Sequence, residues 1–226
     1  MGLLRNKNIL ITGASSGIEF PDTKVHTAKL DVQDVNSVHA LVDGLPEEFQ
    51  QIDVLVNNAG LSLGLQSVET TPLEYMDQMF DTNVKGVVYC IQKILPKMRQ
   101  QKSGHIINIS SISGKDTYPN GGLYCASKFA VDAITRTLRQ ELVSSPVRVT
   151  AINPGMVETE FSLVRFGGNQ ETADKVYTGV KPLVAEDIAE TIIFVASRPS
   201  HVEVSDITIF PKGQASTTLV HRGELV

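Results

Sequence analysis

The sequence predicts an α/β fold in which a parallel β-sheet is covered by helices on both faces. Short apolar runs rich in Ile and Val, such as residues 53–57 and 147–153, alternate with longer segments of helical periodicity. Such alternation favours parallel strands, because a parallel neighbour is reached only through a crossover, which is usually a helix. No repeat, low-complexity tract or linker interrupts the pattern. A length of 226 residues fits one domain, which we assign to residues 1–226.

Five elements are predicted in the first half of the chain. Residues 8–12 (NILIT) form an apolar strand followed by a turn rich in Gly and Ser, and residues 24–31 (KVHTAKLD) alternate with the period of a second strand. Residues 35–42 form a short amphipathic helix that ends at a Gly-Leu-Pro sequence, and residues 53–57 (DVLVN) form a buried strand. Residues 72–98 form a long helix with proline at its first turn, where a missing N–H group is tolerated.

Five further elements follow in the second half. Strands are predicted at residues 105–110 (HIINIS), 147–153 (VRVTAIN) and 206–210 (DITIF), and helices at residues 123–142 and 185–197. Apolar residues that step by four give the first of these helices a stripe that we expect to be buried: Ala126, Ala130, Ile134, Leu138 and Leu142.

Composition disfavours several classes of protein. A formal net charge of −5 argues against nucleic acid or an anionic membrane as the main partner. No stretch approaches the roughly 18 apolar residues of a membrane helix, and the N-terminus has no signal-peptide pattern, so we expect a cytoplasmic location. The five histidines are scattered without the spacing of a metal site, and two cysteines are too few for a disulfide framework. We therefore expect a small-molecule partner and no metal.

Two motifs of turn residues follow predicted strands. Residues 12–18 (TGASSGI) form a glycine-containing turn of the kind that leads into a helix N-terminus, where N–H groups and the helix dipole attract a pyrophosphate. Residues 57–60 (NNAG) end the next buried strand, at the position where doubly wound sheets bind ligands. Each motif alone is also consistent with an ordinary loop.

A third motif places a tyrosine and a lysine on one helix face. Tyr124 and Lys128 are four residues apart, about one helical turn. A free tyrosine has a pKa near 10, and we expect the fixed ammonium of Lys128 to stabilise the phenolate and bring the pKa of Tyr124 toward 7. Ser110 and Ser111 end the preceding strand, and only one of them can face the site because side chains alternate. The alternative for the pair alone is a partly exposed tyrosine beside a surface lysine.

In this order the motifs TGASSGI, NNAG and YCASK, followed by Pro154-Gly155, resemble the short-chain dehydrogenase/reductase family over residues 8–210. The resemblance implies a Rossmann-type doubly wound sheet and homodimers or homotetramers, often with the Tyr-Lys helix at the interface. The family's serine lies thirteen residues before the tyrosine, which selects Ser111 to hold the substrate oxygen. Its fourth catalytic residue, an asparagine that positions a proton-relaying water, matches Asn83. By itself Asn83 would be a polar residue that distorts a helix.

The resemblance also implies a set of cofactor contacts. They line, in turn, the phosphates, the adenine, the ribose and the carboxamide of a nicotinamide dinucleotide: Gly13, Ser15, Gly17 and Ile18; Asp31 and Val32; Asn57, Ala59 and Gly60; Pro154, Gly155, Val157 and Thr159. Tyr124 and Lys128 belong to both the catalytic and the cofactor-binding set.

A narrower resemblance, to NADP-dependent 3-hydroxy acid dehydrogenases, is carried by LDVQDV, DVLVNNAG, YCASKFAV and PGMVETEFSLVRFG. It implies NADP as cofactor and serine or allo-threonine as substrates, although no residue present decides between NADP and NAD. Arg165 is the candidate for the substrate carboxylate, since guanidinium and carboxylate pair through two hydrogen bonds; a surface arginine is the alternative. Residues 154–180 around it have mixed signals and two adjacent glycines, and we expect a mobile lid.

The chain departs from its family after Ile18. Glu19 stands where the family has a third glycine, and residues 20–22 resemble the end of the family's second helix. A strand–helix segment of roughly 40 residues is therefore absent. We expect these residues to belong to the protein but to be disordered and so missing from this sequence; a genuinely shortened chain is the alternative.

The sequence thus predicts an NADP-dependent oxidoreductase that acts on the CH–OH group of 3-hydroxy acids, with Tyr124 as acid and base. Two alternatives remain. One is a general carbonyl or ketone reductase of the same family. The other, if the deletion is real, is a catalytically silent subunit that keeps the fold for contacts within a dimer.

Overall fold

A computed structural model describes residues 4–14 and 24–224, which contain a five-stranded sheet. All neighbouring strands are parallel, and their order in the sheet follows the chain. The strands are β1 (Ile9–Ile11), β2 (Val54–Asn57), β3 (Gly104–Ile109), β4 (Val147–Pro154) and β5 (Asp206–Ile209). The predicted α/β class with a Rossmann-like parallel sheet is confirmed.

Helices cover both faces of this sheet. They are α1 (Val35–Asp43), α2 (Leu73–Phe80), α3 (Gly86–Gln100), α4 (Gly122–Glu141), α5 (Glu160–Arg165), α6 (Gln170–Tyr177) and α7 (Ala185–Ala196). Helices α1, α3 and α4 pack on one face, around Leu55 and Ile106. Helix α7 packs on the other, where Val195 contacts the cluster that holds Val56 and Ile107. Consecutive strand residues thus serve opposite cores, as the pleat requires.

Residues 24–31 do not form the strand that their alternation predicts. They have no regular secondary structure, and all except Leu30 are exposed. A strand is stable only if its N–H and C=O groups find a partner, and alternation alone provides none. Strand β1 pairs with β2, and no other described strand lies along its outer edge. This free edge agrees with an absent strand–helix segment.

The stretch predicted as one helix at residues 72–98 is continuous but not uniform. Helices α2 and α3 are joined by a π-helical turn at Asp81–Lys85. Pro96 lies inside α3, which continues to Gln100. A π turn inside an α-helix often marks a functional site, and this one contains the buried Asn83. Residues 154–180, expected to form a lid, contain helices α5 and α6.

His105 is buried, whereas the other four histidines are exposed. It is 2% exposed, and its Nε2 lies 2.8 Å from the Thr150 hydroxyl. Burial lowers the pKa of His105 to about 3, so the ring is neutral. Within residues 4–14 and 24–224 no group of three or more metal-binding side chains comes together. No helix in those ranges has the length and apolar character needed to cross a membrane.

Candidate active site

The candidate active site lies at the carboxyl ends of three neighbouring strands. The NNAG segment follows β2, Ser110 and Ser111 follow β3, and Pro154 ends β4. Because the strands are parallel and in register, these segments meet at one edge of the sheet, where doubly wound folds bind ligands. Helix α4 runs past this edge and supplies Tyr124 and Lys128.

Lys128 is almost completely buried beneath this edge, with 5% of its surface exposed. Its Nζ donates a hydrogen bond to the Ile109 carbonyl (3.0 Å) and lies 6.0 Å from the centroid of the Tyr124 ring. Burial lowers the pKa of Lys128 to about 8. An ammonium has three N–H donors, and no second acceptor binds it among the residues described. Two donors are therefore available to a ligand.

Tyr124 is also buried, and its protonation differs from the expectation. Burial raises the pKa of Tyr124 above its usual range, and the nearby Ser111 hydroxyl and Arg165 charge offset only part of this rise. Lys128 does not lower the pKa toward 7 in the chain alone. Its ammonium is directed at the Ile109 carbonyl and has lost much of its own hydration.

The two serines after β3 face different surroundings, as the alternation of side chains predicts. Ser110 donates to the backbone carbonyl of Lys128 at 3.4 Å and supports the helix. Ser111 accepts a hydrogen bond from the Ser113 N–H (3.0 Å), and its hydroxyl lies close enough to Tyr124 to lower the pKa of the phenol. The structure therefore brings Ser111, not Ser110, to Tyr124.

Asn83 connects the segment after β2 to the catalytic helix. Its amide nitrogen donates to the Leu61 carbonyl (2.8 Å) and the Ser127 hydroxyl (3.0 Å), and its amide oxygen accepts from the Leu61 N–H (2.8 Å). The Ser127 hydroxyl in turn donates to the Tyr124 carbonyl (2.7 Å). Asn83 thus connects to α4 through Ser127, a residue that no sequence motif marks.

The first glycine turn and the NNAG segment are held against each other. The N–H groups of Asn58 and Ala59 both donate to the Thr12 hydroxyl (3.2 and 3.1 Å). Gly13 has φ +69°, and a Cβ there would lie 2.7 Å from the Cα of Ala59. Only glycine fits this close approach. The predicted phosphate contacts Ser15, Gly17 and Ile18 lie outside the described residues.

The predicted ribose contacts differ in accessibility. Gly60 borders Lys128, since a Cβ on it would lie 3.5 Å from the lysine Nζ and 3.3 Å from the Asn83 amide oxygen. A ligand can therefore approach Lys128 over Gly60. Asn57 is buried and donates to the Asn108 side chain (2.8 Å), so its side chain supports the sheet.

The residues predicted to lie beside the adenine have separate environments. Asp31 is exposed, and its carboxylate accepts a hydrogen bond from the Gln33 N–H (2.9 Å). Val32 is 9% exposed and packs against Gly86 of α3, where a Cβ would lie 2.9 Å from the valine Cβ. Val32 therefore belongs to the packing, and only Asp31 is open to solvent.

The predicted carboxamide contacts form the segment between β4 and α5. Pro154 ends β4, and the Gly155 N–H donates to the Ile209 carbonyl (2.8 Å). Val157 forms an isolated parallel bridge with Leu183. The Thr159 hydroxyl accepts from the Phe161 N–H and caps α5. These contacts fix the course of the chain next to the site.

Helix α5 brings two side chains toward Tyr124. Phe161 and Arg165 are four residues apart, and so share one face of the helix. The Phe161 ring centroid lies 5.7 Å from that of Tyr124, and the Arg165 Cζ lies 5.9 Å from the Tyr124 centroid. Arg165 was predicted from the sequence and Phe161 was not, although its spacing of four residues from Arg165 could have identified it.

Two uncharged acceptors hold the Arg165 guanidinium. Its Nε donates to the Gly64 carbonyl (3.1 Å) and its Nη2 to the Tyr118 hydroxyl (2.8 Å), while Cζ lies 5.6 Å from the Tyr118 ring centroid. The Gly64 N–H also donates to the Arg165 carbonyl (2.9 Å), which ties α5 to the segment after β2. Tyr118 lies in a loop before α4, and no sequence signal marks it.

Known proteins resemble this chain over most of its length. A family model described as short chain dehydrogenase matches residues 19–166. An NADP-dependent 3-hydroxy acid dehydrogenase from Schizosaccharomyces pombe is 37% identical over 256 residues, covering 98% of this chain and 99% of that protein. Sulfoacetaldehyde reductase 2 from Chromohalobacter salexigens is 44% identical over 193 residues, covering 85% and 77%. The closed form of serine dehydrogenase complexed with NADP+ superimposes with a TM-score of 0.83 at 41% identity, covering 86% and 79%.

The match to the Schizosaccharomyces pombe protein also concerns the absent segment. It extends over 256 residues, whereas 98% of this 226-residue chain is about 221 residues. About 35 positions of the match therefore have no counterpart in this chain, in agreement with the roughly 40 missing residues expected from the motif.

Proposed function

The chain belongs to the short-chain dehydrogenase family, and from this membership we propose that it is an NADP-dependent oxidoreductase of 3-hydroxy acids such as serine or allo-threonine. It would transfer a hydride between NADP and the hydroxyl-bearing carbon. The names of the relatives support the cofactor and the substrate class, since they include an NADP-dependent 3-hydroxy acid dehydrogenase and a serine dehydrogenase complexed with NADP+.

The position of Arg165 is the observation that carries this proposal. The guanidinium lies 5.9 Å from the ring of the proposed acid and base, Tyr124, and keeps Nη1 and one N–H of Nη2 without a partner among the described residues. Such a fork pairs with a carboxylate through two charge-assisted hydrogen bonds. A 3-hydroxy acid has its hydroxyl and carboxylate two carbons apart, so that one substrate can reach Tyr124 and Arg165 together.

The residues around the strand ends fit a nicotinamide dinucleotide. Gly13 and Gly60 leave room for close approach, and Lys128 has two buried N–H donors without a partner in the described chain. We propose that Lys128 donates to the nicotinamide ribose and that the Pro154–Thr159 segment, with Gly155 and Val157, borders the carboxamide. When bound, NADP supplies the hydride acceptor and a positive charge near Tyr124.

The chain's own residues would manage the proton. In oxidation Tyr124 removes the proton from the substrate hydroxyl, whose oxygen the Ser111 hydroxyl holds. Because burial raises the pKa of Tyr124 and the Arg165 charge offsets only part of this rise, we propose that the positive charge of the bound cofactor, together with Lys128, favours the phenolate. Asn83 fixes the helix through Ser127 and supports the path by which the proton leaves through Lys128.

Replacing Gly13 with alanine is expected to destabilise the protein and to weaken NADPH binding. The new Cβ would meet the Ala59 backbone at 2.7 Å and push the two ligand-binding turns apart. Gly167→Ala is the matched control, because Gly167 also has positive φ (+60°) but open space around it. Thermal unfolding should show a larger fall in Tm for Gly13→Ala, by at least about 2–4 °C. Equal Tm values for the two variants would refute the close approach of Gly13 to Ala59. The Kd of the folded Gly13→Ala variant for NADPH is then measured by fluorescence.

Replacing Arg165 with alanine tests the substrate class. We expect kcat/KM for 3-hydroxybutyrate to fall roughly 10²-fold, since two hydrogen bonds between charged groups are lost, and kcat/KM for its methyl ester to change little. Arg222→Ala is the control, because that guanidinium donates to the carbonyls of Val176 and Thr178 instead. An equal loss on acid and ester would contradict a carboxylate site at Arg165.

The same assays separate the alternatives. A wild-type protein that oxidises the ester as well as the acid is a general carbonyl reductase. A protein that binds neither NADPH nor NADH at the mass of 24.6 kDa is a silent subunit. Isethionate belongs in the panel as well, because a sulfoacetaldehyde reductase is among the relatives and a sulfonate bears the same charge as a carboxylate.

A cytoplasmic homotetramer or homodimer completes the proposal. Phe129 on the catalytic helix α4 is a large apolar side chain that is 42% exposed, and a second subunit packed along α4 would cover it. Light scattering of the purified protein would give the subunit number directly.

A further inference from the structure

Arg165 is held more firmly than an arginine on a loop surface. Its guanidinium lies close to two tyrosine rings, with Cζ 5.6 Å from the Tyr118 centroid and 5.9 Å from the Tyr124 centroid. Two hydrogen bonds, from Nε to Gly64 and from Nη2 to Tyr118, act on adjacent nitrogens of the same planar group. One hydrogen bond leaves such a group free to rotate about the bond, whereas two fix its plane.

Tyr118 itself has a fixed position. The ring lies against Gly121, where a Cβ would come within 2.2 Å of it. Two residues shortly before Tyr118 fasten its loop. Lys115 forms ion pairs with Asp132 and Asp206, and the Asp116 carboxylate accepts from the Thr217 hydroxyl (2.8 Å). The hydroxyl therefore presents an acceptor to Arg165 at a defined place.

The chemistry of the partners also preserves the charge of Arg165. Burial raises the pKa of Tyr118, so the phenol is neutral at physiological pH. The Gly64 carbonyl is neutral as well. A carboxylate in either place would cancel the guanidinium charge, but these acceptors orient it and leave its charge for a ligand.

We propose that Tyr118 is the positioning residue that aims Arg165 at the substrate carboxylate, and so gives the site its preference for hydroxy acids over neutral alcohols. The inference rests on the proposed function. Tyr118 acts through Arg165 and takes no part in the proton transfer, so its effect belongs to KM and to substrates that carry an acid group.

Tyr118→Phe tests this role, because it removes one oxygen and keeps the ring against Gly121. With NADP saturating, we expect KM for 3-hydroxybutyrate to rise roughly ten-fold with kcat within two-fold of wild type, and both constants for the methyl ester to stay unchanged. Tyr89→Phe removes the same atom from a tyrosine of α3 and should leave KM and kcat unchanged for both the acid and the ester. Tyr118→His, a second variant that keeps a ring and an acceptor, should lie between wild type and Tyr118→Phe.

The outcomes distinguish this inference from the function on which it rests. If wild-type protein shows no preference for the acid over its ester, the proposed substrate class fails. If it shows the preference and Tyr118→Phe keeps it, or loses activity equally on acid and ester, only the role of Tyr118 is overturned. Thermal unfolding of each variant shows whether a loss reflects the fold.

Discussion

Phenylalanine in place of Tyr124 is expected to lower kcat for the oxidation of a hydroxy acid by NADP roughly 10²–10⁴-fold, the usual contribution of a positioned acid or base. The phenol oxygen is the group that takes the proton, and the ring that packs beside Phe161 remains. NADPH binding and Tm should therefore be close to wild type. The measurement is the initial rate of NADPH formation at saturating substrate.

The pH dependence of kcat is a second and independent test of the role of Tyr124. Because burial raises the pKa of Tyr124 and oxidation needs the phenolate, kcat for oxidation should rise with pH in the wild type and lose this dependence in Tyr124→Phe. Tyr89→Phe serves again as the control for loss of a hydroxyl. Wild-type turnover by Tyr124→Phe would eliminate the tyrosine mechanism.

Methionine in place of Lys128 is expected to have opposite effects on activity and stability. The ammonium that assists Tyr124 is lost, so kcat should fall by about 10²-fold or more. The folded chain nevertheless keeps that ammonium buried at a cost, since burial lowers its pKa from 10.5 to about 8, a shift worth on the order of 3 kcal/mol. The variant also loses the hydrogen bond to the Ile109 carbonyl, and this loss offsets about 1–2 kcal/mol of the stabilisation. A net gain near 1 kcal/mol should raise Tm by about 2–4 °C at pH 7.

The sign of the pH dependence follows from linkage. Between about 8 and 10.5 the unfolded chain binds the Lys128 proton more tightly than the folded chain does, so wild-type stability rises with pH across this window. The free energy of unfolding of Lys128→Met should therefore exceed that of wild type by less as the pH rises from about 8 to 10.5. Chemical unfolding at pH 7 and pH 10 measures both differences, and a variant less stable than wild type at pH 7 would contradict the cost assigned to the buried ammonium.

Helix α4 shows what sequence periodicity captures and what it misses. Its bounds were predicted to within a residue, but the predicted apolar stripe is only partly buried, and Ala126 is exposed. A step of four drifts around a helix of 3.6 residues per turn. The buried face instead includes Ser127, Lys128 and Thr135. A pattern of apolar residues does not predict buried polar residues, because these are buried for hydrogen bonding or for function and not for their hydrophobicity.

The error at residues 24–31 has another origin. Their alternation is typical of a strand, but no strand among the described residues pairs with them. A pattern of local sequence reports a propensity, whereas pairing depends on residues distant in the chain. The π turn at Asn83 could not be predicted for the same reason. Asn83 forms hydrogen bonds to Leu61 and Ser127, which are distant from it in the chain.

The surroundings of Arg165 were predicted only in part. Arg165 followed from a resemblance, but Tyr118 and Gly64 are 47 and 101 residues away from it in the chain. Their contacts depend on how α5 packs over the strand ends. Sequence motifs locate groups that are fixed by one helix or one turn, and they do not locate partners that the fold assembles.

The most direct test of the account is the absorbance of NADPH after allo-threonine or 3-hydroxybutyrate is added to the purified protein and NADP, with the intact mass recorded on the same sample. We expect NADPH formation that depends on the hydroxy acid and is abolished in Tyr124→Phe. Absence of turnover with every hydroxy acid, together with no binding of NADPH by the 24.6 kDa chain, would contradict it.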